Sequence, residues 1–525
     1  MTETAAPSEV LPGSSDRSLL RNSFFNGLGF LWSAAVLFFQ VTYILHTLGA
    51  EMYGIWALCL ILSSTFTIAD FGMSATIVKF VSEYKAKGQK DEVNRVLANS
   101  FLFYLGIDGL LLPLLFFIPS LLEFLNIPGN LLPVAVTATT IALVNFMLTM
   151  TGVNILTGLL QGYHRMDVTN RVTMAVGIPK VLGTVAAVEL GYGLPGVMIS
   201  DLCMVLLTIA LLRWRASVIA PEVAFAFRHR SWITFKLIFR FGMTLQASVI
   251  SGLINFHFDK LVLSKLLGLT FLTYYDLGSR VVGKIRGLPL IVATALLPEF
   301  SRLHALKDLD SIREIYRKSS KAMLVFLLPV FGTIALVSDL FIELWLGTGY
   351  ELASLTLRVL AFSYCVNVFT AVVSNASKGL GHPEIEAKTA ALQVFLNVLL
   401  SPLLVLVLGF PGALIGTTTA LLGGAWYYLV KVNRLLEVRA GEFAVTILRL
   451  PILFSVASLL LAGGALALGL QIGLGSFWEG RAALLLAVSG ISVGVFFALL
   501  LKSSYIDPAE RSRWKNAWQA ILLSR

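Results

Sequence analysis

Charged residues are scarce in this chain. Aspartate, glutamate, lysine and arginine make up 13% of its 525 residues, whereas roughly 25% is usual in soluble domains. Hydrophobic residues make up 57%, and a soluble protein of this composition would expose large apolar patches. The composition therefore excludes an ordinary soluble domain. It predicts an all-α polytopic membrane protein whose apolar faces are solvated by lipid.

Cysteine is also rare, and the motifs of common catalytic sites are missing. The three cysteines, Cys59, Cys203 and Cys365, stand singly in apolar runs, which matches no zinc or redox spacing. The sequence offers no nucleotide-binding loop, no Ser–His–Asp arrangement and no metal cluster. We therefore expect no enzymatic activity, no catalytic residues, no metal and no cofactor. The net charge of +10 follows membrane topology, so we expect no nucleic-acid partner.

Long apolar runs recur along the whole chain and leave no room for a separate soluble domain. A spanning helix needs about 20 mostly apolar residues to cross a hydrocarbon core of about 30 Å. The sequence thus predicts about fourteen transmembrane helices. The predicted spans are 22–46, 52–80, 96–119, 131–161, 169–189, 194–212, 241–264, 269–299, 322–344, 352–380, 388–408, 411–432, 444–469 and 481–502.

The distribution of lysine and arginine predicts the orientation of the chain, because cytoplasmic loops carry an excess of these residues. With the amino terminus inside, most of them fall in inside segments, and the outside loops hold Lys265 and Arg481 alone. With one span more or one span fewer, lysine and arginine would no longer be concentrated in the inside segments. We therefore expect an even number of spans, both termini in the cytoplasm, and a location in the cell inner (cytoplasmic) membrane.

A weak internal repeat divides the spans into two sets. Gly49 before the second span matches Gly268 before the eighth at an offset of 219 residues, and Gly162 after the fourth matches Gly381 after the tenth at the same offset. Glycine is common at turns, but a shared order and offset are hard to obtain by chance. We predict two pseudo-symmetric six-helix lobes plus two C-terminal helices. Two parallel lobes that face each other across a central cleft suit alternating access.

The repeat also sets the predicted domain boundaries. A basic cytoplasmic loop joins the lobes, and the tail has the pattern of an amphipathic helix, either on the membrane surface or packed on the protein. The predicted segments are a disordered cytoplasmic amino terminus (1–20), the N-lobe (21–213), the inter-lobe linker (214–239), the C-lobe (240–433), the last two spans (434–502) and the cytoplasmic amphipathic tail (503–525).

Ionisable residues inside spans are costly and are functional candidates by default. The densest group is in the eighth span, where Asp276, Arg280 and Lys284 follow each other at i, i+4 and i+8 and share one helix face. A stripe with two cations suits an anionic substrate such as a lipid-linked pyrophosphate. The alternative is a structural network in which Asp276 neutralises Arg280. Arg286 lies on a different face of the same helix.

Other buried charges are weaker candidates. In the seventh span, Asp259 could pair with Lys260, with a cation of the eighth span, or with a coupling ion. Lys180 follows a proline in the fifth span, where a kink could open a cavity, so we place it with Arg280 and Lys284 in the substrate-binding set. Asp259, Asp276 and Asp70 form the set expected to serve in ion coupling or in structural pairs.

Five short motifs in and beside the predicted spans resemble those of a known family. They are Arg21–Phe25, Leu48–Gly54, Ala69–Met73, Lys79–Tyr84 and Gly379–Pro383. The family they resemble is the polysaccharide flippases of the Wzx type, in the multidrug/oligosaccharidyl-lipid/polysaccharide exporter superfamily. The resemblance implies a two-lobed helical fold with a central cationic cavity. It also implies that an undecaprenyl-pyrophosphate-linked oligosaccharide is moved from the cytoplasmic to the outer leaflet, driven by a proton or sodium gradient, with polysaccharide polymerase or assembly proteins as potential partners.

Three alternatives remain open at this point. A lipid II flippase shares the fourteen-span plan and differs mainly in its substrate. A multidrug or cation antiporter of the same superfamily usually has twelve spans and buried carboxylates, whereas the first span here has no acid and the eighth is mainly basic. A non-transporting scaffold of a polysaccharide assembly complex has no need of buried cations.

Overall fold

The computed structural model describes residues 12–223 and 229–505, and the regular structure in these ranges is helical. The helices of the first half are α1 Pro12–Thr65, α2 Met73–Ala86, α3 Lys90–Leu111, α4 Leu114–Phe124, α5 Leu132–Leu148, α6 Ile155–Gly162, α7 Met166–Glu189 and α8 Gly193–Ile219. Two short segments link them, a 3₁₀ turn at Phe66–Asp70 and a π-helical turn at Thr149–Asn154.

The second half continues in the same way. Its helices are α9 Trp232–Leu266, α10 Leu269–Thr294, α11 Leu296–Ala305, α12 Leu309–Leu336, α13 Ser338–Leu346, α14 Glu351–Gly379, α15 Pro383–Leu408, α16 Phe410–Leu435, α17 Ala440–Phe443, α18 Arg449–Gln471 and α19 Trp478–Lys502. A π-helical turn, Ala444–Leu448, precedes α18, and a 3₁₀ turn, Leu474–Ser476, precedes α19.

Within the described ranges, eleven helices are long and apolar enough to span a membrane, or twelve if the bent pair α3–α4 forms one span. The first candidate, Gly27–Asp70, has 44 residues and would measure about 66 Å as a continuous helix. It breaks at Gly49, between the first two predicted spans, and it ends at Asp70, inside the second of them. The chain is an all-α polytopic membrane protein, and the count of fourteen spans stays a prediction.

Two glycines have nearly the same unusual backbone conformation. Gly49 has φ 86° and ψ 171°, and Gly268 has φ 103° and ψ 174°, a region that is essentially restricted to glycine. Each residue separates two consecutive long helices. The conformations match at the predicted offset of 219 residues, which supports the internal repeat at this position.

The second predicted match needs a shift. α6 ends at the C-cap Tyr163 with His164 in the left-handed region (φ 57°), and α14 ends at the C-cap Leu380 with Gly381 in that region (φ 80°). The equivalent residues are therefore His164 and Gly381, two positions from the predicted pairing of Gly162 with Gly381. In this shifted alignment Gly162, which ends α6, matches Gly379, which ends α14, at an offset of 217 residues.

The chain forms two compact units that meet between Leu253 and Ile254, inside α9. The start of α9 belongs to the first unit, where Gly242 packs directly on Gly72. α8 continues to Ile219 and α9 begins at Trp232, and the domain boundaries stay predictions. The predicted tail helix lies outside the described residues.

α15 and α16 pack closely through three glycines of α16. A Cβ at Gly416 would lie 2.5 Å from Ser401 Oγ, and Cβ atoms at Gly412 and Gly424 would also clash with α15. Small residues at four-residue spacing let membrane helices approach at backbone distance. This contact fixes the position of the polar residues that α15 and α16 contribute to the interior of the second unit.

Candidate functional site in the membrane helices

One carboxylate binds two cations in the second unit. Lys260 Nζ on α9 lies 2.8 Å from Asp276 Oδ1 on α10, and Arg280 Nε contacts the other oxygen of Asp276. Asp276 is 1% exposed and Lys260 is 7% exposed. The turn at Gly268 folds α10 back beside α9, which brings Lys260 to Asp276. This triad carries one net positive charge, and Lys284 extends it by one turn along α10 as a half-buried cation.

Asp259 lies one residue from Lys260 but has different partners. Tyr275 donates to its carboxylate at 3.2 Å, Asn397 Nδ2 lies 3.3 Å and 3.4 Å from its two oxygens, and Thr417 Oγ1 also donates to it. Its side chain is 1% exposed. Within the described residues no lysine or arginine pairs with Asp259. Lys260, one of the partners predicted for Asp259, pairs with Asp276 instead.

One oxygen beside this carboxylate has no hydrogen-bond partner. Asn397 Oδ1 is buried and unpaired, whereas the Ser401 hydroxyl faces the Asp259 carboxylate from one turn further along α15. Gln393, Asn397 and Ser401 follow each other at i, i+4 and i+8 and are all buried. Buried polar atoms are usually satisfied, so the unpaired Asn397 Oδ1 next to a carboxylate makes this cluster a candidate cation site.

Arg286 of α10 is a partly buried cation to which sequence reasoning gave no role. Its guanidinium lies 3.9 Å from the ring centre of Phe256 and 5.6 Å from that of Tyr364. Its Nε is buried and has no hydrogen-bond partner, and no carboxylate of the described residues pairs with it. The two aromatic rings hold the guanidinium in place by cation–π contacts. They lie on α9 and α14, so local spacing in the sequence gave no signal for this cluster.

Lys180 and Asp70 lie in the first unit. Lys180 Nζ on α7 lies 3.3 Å from Asp201 Oδ1 on α8, and one third of the Lys180 side chain is exposed. Asp70 ends the 3₁₀ turn after α1 and accepts from Tyr104 Oη at 2.5 Å and from Ser74 Oγ at 2.8 Å. Because Asp70 also accepts from the Ser74 backbone N–H, it binds the first turn of α2.

A protein-family model described as polysaccharide biosynthesis protein matches residues 19–304, more than half of the chain. The chain belongs to this family. The resemblance seen in the sequence motifs is therefore confirmed. This polysaccharide biosynthesis protein is a multi-pass membrane transporter of the flippase type and not an enzyme.

Curated relatives of this family member are distant but cover most of the chain. A Shigella flexneri protein named "Putative O-antigen transporter" is 22% identical over 379 residues, which covers 70% of this chain and 87% of the relative. A Haloferax volcanii protein named "Probable low-salt glycan biosynthesis flippase Agl15" is 21% identical over 509 residues, which covers 95% of this chain and 98% of the relative.

Solved structures show the same fold. An inward-facing multidrug resistance MATE family transporter of the MOP superfamily has a TM-score of 0.69 at 17% identity and covers 81% of this chain and 100% of its own. The lipid II flippase MurJ in an inward closed conformation has a TM-score of 0.66 at 15% identity and covers 92% and 99%. The polysaccharide biosynthesis protein thus has a MATE- and MurJ-like fold.

Proposed function

We propose that this protein flips an undecaprenyl-pyrophosphate-linked oligosaccharide from the cytoplasmic to the outer leaflet of the cell inner membrane for polysaccharide export. Family membership and the names of the two curated relatives support a glycan lipid as the class of substrate. On α10 the partly buried cations Arg280, Lys284 and Arg286 outnumber the single buried carboxylate of Asp276, and this excess supports a pyrophosphate as the group that is recognised. The proposed cycle is alternating access, with both termini in the cytoplasm.

Arg286 carries the proposal for the anionic headgroup. A guanidinium that is held between aromatic rings and has a buried, unpaired Nε keeps hydrogen-bond donors available for phosphate oxygens. Charge-assisted bonds from arginine to phosphate are short and often bidentate. The desolvation cost of such a buried charge falls when an anion arrives. Arg286 thus extends the proposed substrate-binding set of Arg280, Lys284 and Lys180.

Arg280 and Lys284 are proposed to bind the same headgroup from the neighbouring turn of α10. Asp276 neutralises one of the two cations that it contacts, so Arg280 retains attraction for an anion. Lys180 would exchange its contact with Asp201 for a substrate oxygen. Asp276 and Asp70 are assigned structural roles, because Asp276 holds two cations and Asp70 binds Ser74 in the first turn of α2.

Asp259 is proposed to bind the coupling ion. Its carboxylate, Thr417 Oγ1, the Ser401 hydroxyl and the unpaired Asn397 Oδ1 supply oxygen ligands only, which is the donor set that hard cations prefer. Sodium would use all of these oxygens, whereas a proton would need only the carboxylate. The unpaired Asn397 Oδ1 therefore favours sodium. Binding would replace hydrogen bonds to Asp259 and so link the ion to the packing of α9 against α15 and α16.

Export assays with matched variants test the headgroup site. Arg286→Ala, Arg280→Ala and Lys284→Ala should each abolish polysaccharide export in a strain that lacks the native gene, while the protein stays in the membrane. Arg286→Lys should restore little export, because lysine lacks the flat, bidentate guanidinium. Arg358→Ala is the control, since Arg358 forms an exposed pair with Asp339. Normal export by an Arg280→Ala/Lys284→Ala double variant would contradict the proposal.

The lipids that accumulate in the deletion strain decide the substrate. Lipid-linked oligosaccharide should accumulate if the proposal is right. Accumulated lipid II would instead show a lipid II flippase, which shares this fold in MurJ. Drug sensitivity without either lipid would show a drug antiporter. Loss of polymer without any accumulated lipid would show a scaffold.

A further inference from the structure

An apolar cavity of about 300 Å³ lies inside the first unit. Its lining side chains include Cys59, Phe66, Phe117, Leu121, Thr139 and Leu143. Cys59 Sγ and Thr139 Oγ1 lie 3.4 Å apart and hydrogen-bond to each other, so neither needs a hydrogen-bond partner inside the cavity. The walls come from the end of α1 with the following turn, from α4 and from α5.

The cavity arises from a bend in the chain. α3 and α4 meet at an angle of 53°, where Pro113 cannot continue the backbone hydrogen-bond pattern of α3. α1 and α4 both pack against α5. The bend therefore leaves space between α1 and α4 that α5 closes at the back.

Water is a poor occupant of this space. A buried water makes about three hydrogen bonds to otherwise unsatisfied polar groups, and an apolar cavity of about half this size stays dry and binds benzene. An empty cavity would forfeit the dispersion contacts of its lining atoms. A hydrocarbon occupant restores these contacts without needing any polar partner.

The outer face of α4 shows where such an occupant would come from. Phe116 is 86% exposed, Phe117 is 63% exposed and Phe124 is 63% exposed, and exposed apolar side chains of a membrane helix contact lipid chains. Phe117 belongs both to this outer face and to the cavity lining. The cavity wall and the lipid-facing surface are thus continuous along α4.

We propose that the acyl chain of a bilayer phospholipid enters this cavity beside α4 and fills the space between α1 and α4. The cavity has room for part of one chain, and bilayer phospholipid is its most abundant neighbour. The bound chain supports the bent conformation of α3 and α4 by packing against Phe117 and Leu121. This site is separate from the buried charges and does not depend on the proposed substrate.

Photocrosslinking of the full chain in nanodiscs tests this site. The probe is a phospholipid with a diazirine at the end of one acyl chain, in a phosphatidylethanolamine–phosphatidylglycerol bilayer. Labelling of the segments 59–66 and 114–121 should exceed that of the exposed face of α8 several-fold. Cys59→Phe places a ring in the cavity and should remove the excess. Cys203→Phe is the matched control, because Cys203 is exposed on α8.

Three results would overturn the proposal. One is labelling of the cavity segments that is no greater than labelling of α8. Another is labelling that Cys59→Phe leaves unchanged in folded protein; if that variant does not accumulate in the membrane, Ser63→Phe fills the cavity from the same wall. The third is labelling by a diazirine polyprenyl phosphate but not by the phospholipid, which would assign the site to a polyprenyl chain.

Discussion

Lys260 of α9 and Asp276 of α10 form a buried ion pair with an Nζ–Oδ1 distance of 2.8 Å. Arg280 contacts the second oxygen of the same carboxylate, so a single anion separates two cations. Removing one member of a buried ion pair leaves an uncompensated charge, which costs far more than the pair itself contributes. The stability of the second unit therefore depends more on Asp276 than on either cation alone.

Asp276→Asn should destabilise the folded protein by about 3–5 kcal/mol, because Lys260 and Arg280 would then face each other without an anion. The measurement is the apparent melting temperature of purified protein in detergent, together with the amount in the membrane. Asp339→Asn is the control, since Asp339 pairs with Arg358 at the surface and exposed pairs contribute about 0–1 kcal/mol. Equal shifts for both variants would contradict the role given to Asp276.

Ser401→Ala separates a sodium site from a proton site at Asp259. The Ser401 hydroxyl faces the Asp259 carboxylate from α15, so alanine there removes one oxygen and leaves the charge of the site unchanged. A ligand present at about 100 times its Kd stabilises a protein by about 2.7 kcal/mol. The rise in melting temperature on adding sodium should be smaller in Ser401→Ala and absent in Asp259→Asn. A full sodium response in Ser401→Ala would exclude Ser401 as a ligand.

Gly416→Ala should destabilise the protein by about 1–3 kcal/mol, the usual cost of overpacking. Its new methyl group would meet Ser401 Oγ at 2.5 Å across the contact between α15 and α16. Gly464→Ala in α18 is the matched control, because a Cβ there meets nothing within 4 Å, and alanine favours the helix by about 0.5–1 kcal/mol. Chemical denaturation would show opposite signs for the two variants. Two shifts of the same sign would refute the close approach.

Gly49→Ala and Gly268→Ala should each lower the free energy of unfolding by about 1–3 kcal/mol, and the two losses should be similar. A Cβ at either position meets nothing within 4 Å, so the cost would come from the backbone conformation alone. Gly283→Ala, within helical α10 and equally open, should be neutral or stabilising. The melting temperatures of the three variants provide the comparison. A loss at only one of Gly49 and Gly268 would argue against equivalent turns in the two halves.

The sequence predicted the parts of this molecule that depend on short distances along the chain. The lengths of the apolar runs predicted where the helices lie, and the i, i+4 spacing predicted that Arg280 lies beside Asp276. The pairing of Asp259 with Asn397 and Thr417 could not be predicted, because these residues come from three helices and their contact depends on packing. The surroundings of Arg286 could not be predicted for the same reason, since Phe256 and Tyr364 contact it from two other helices.

The glycines of α16 have a consequence for the choice of ion. Since backbone contact holds α15 and α16 together, Asn397 and Thr417 have a fixed spacing, and Tyr275 of α10 completes the surroundings of Asp259 from the other side. Discrimination between a small and a large cation would then follow from how near α16 lies to α15. Larger residues in place of Gly412, Gly416 and Gly424 would therefore change which ionic radius the site prefers, without altering any group that touches the ion.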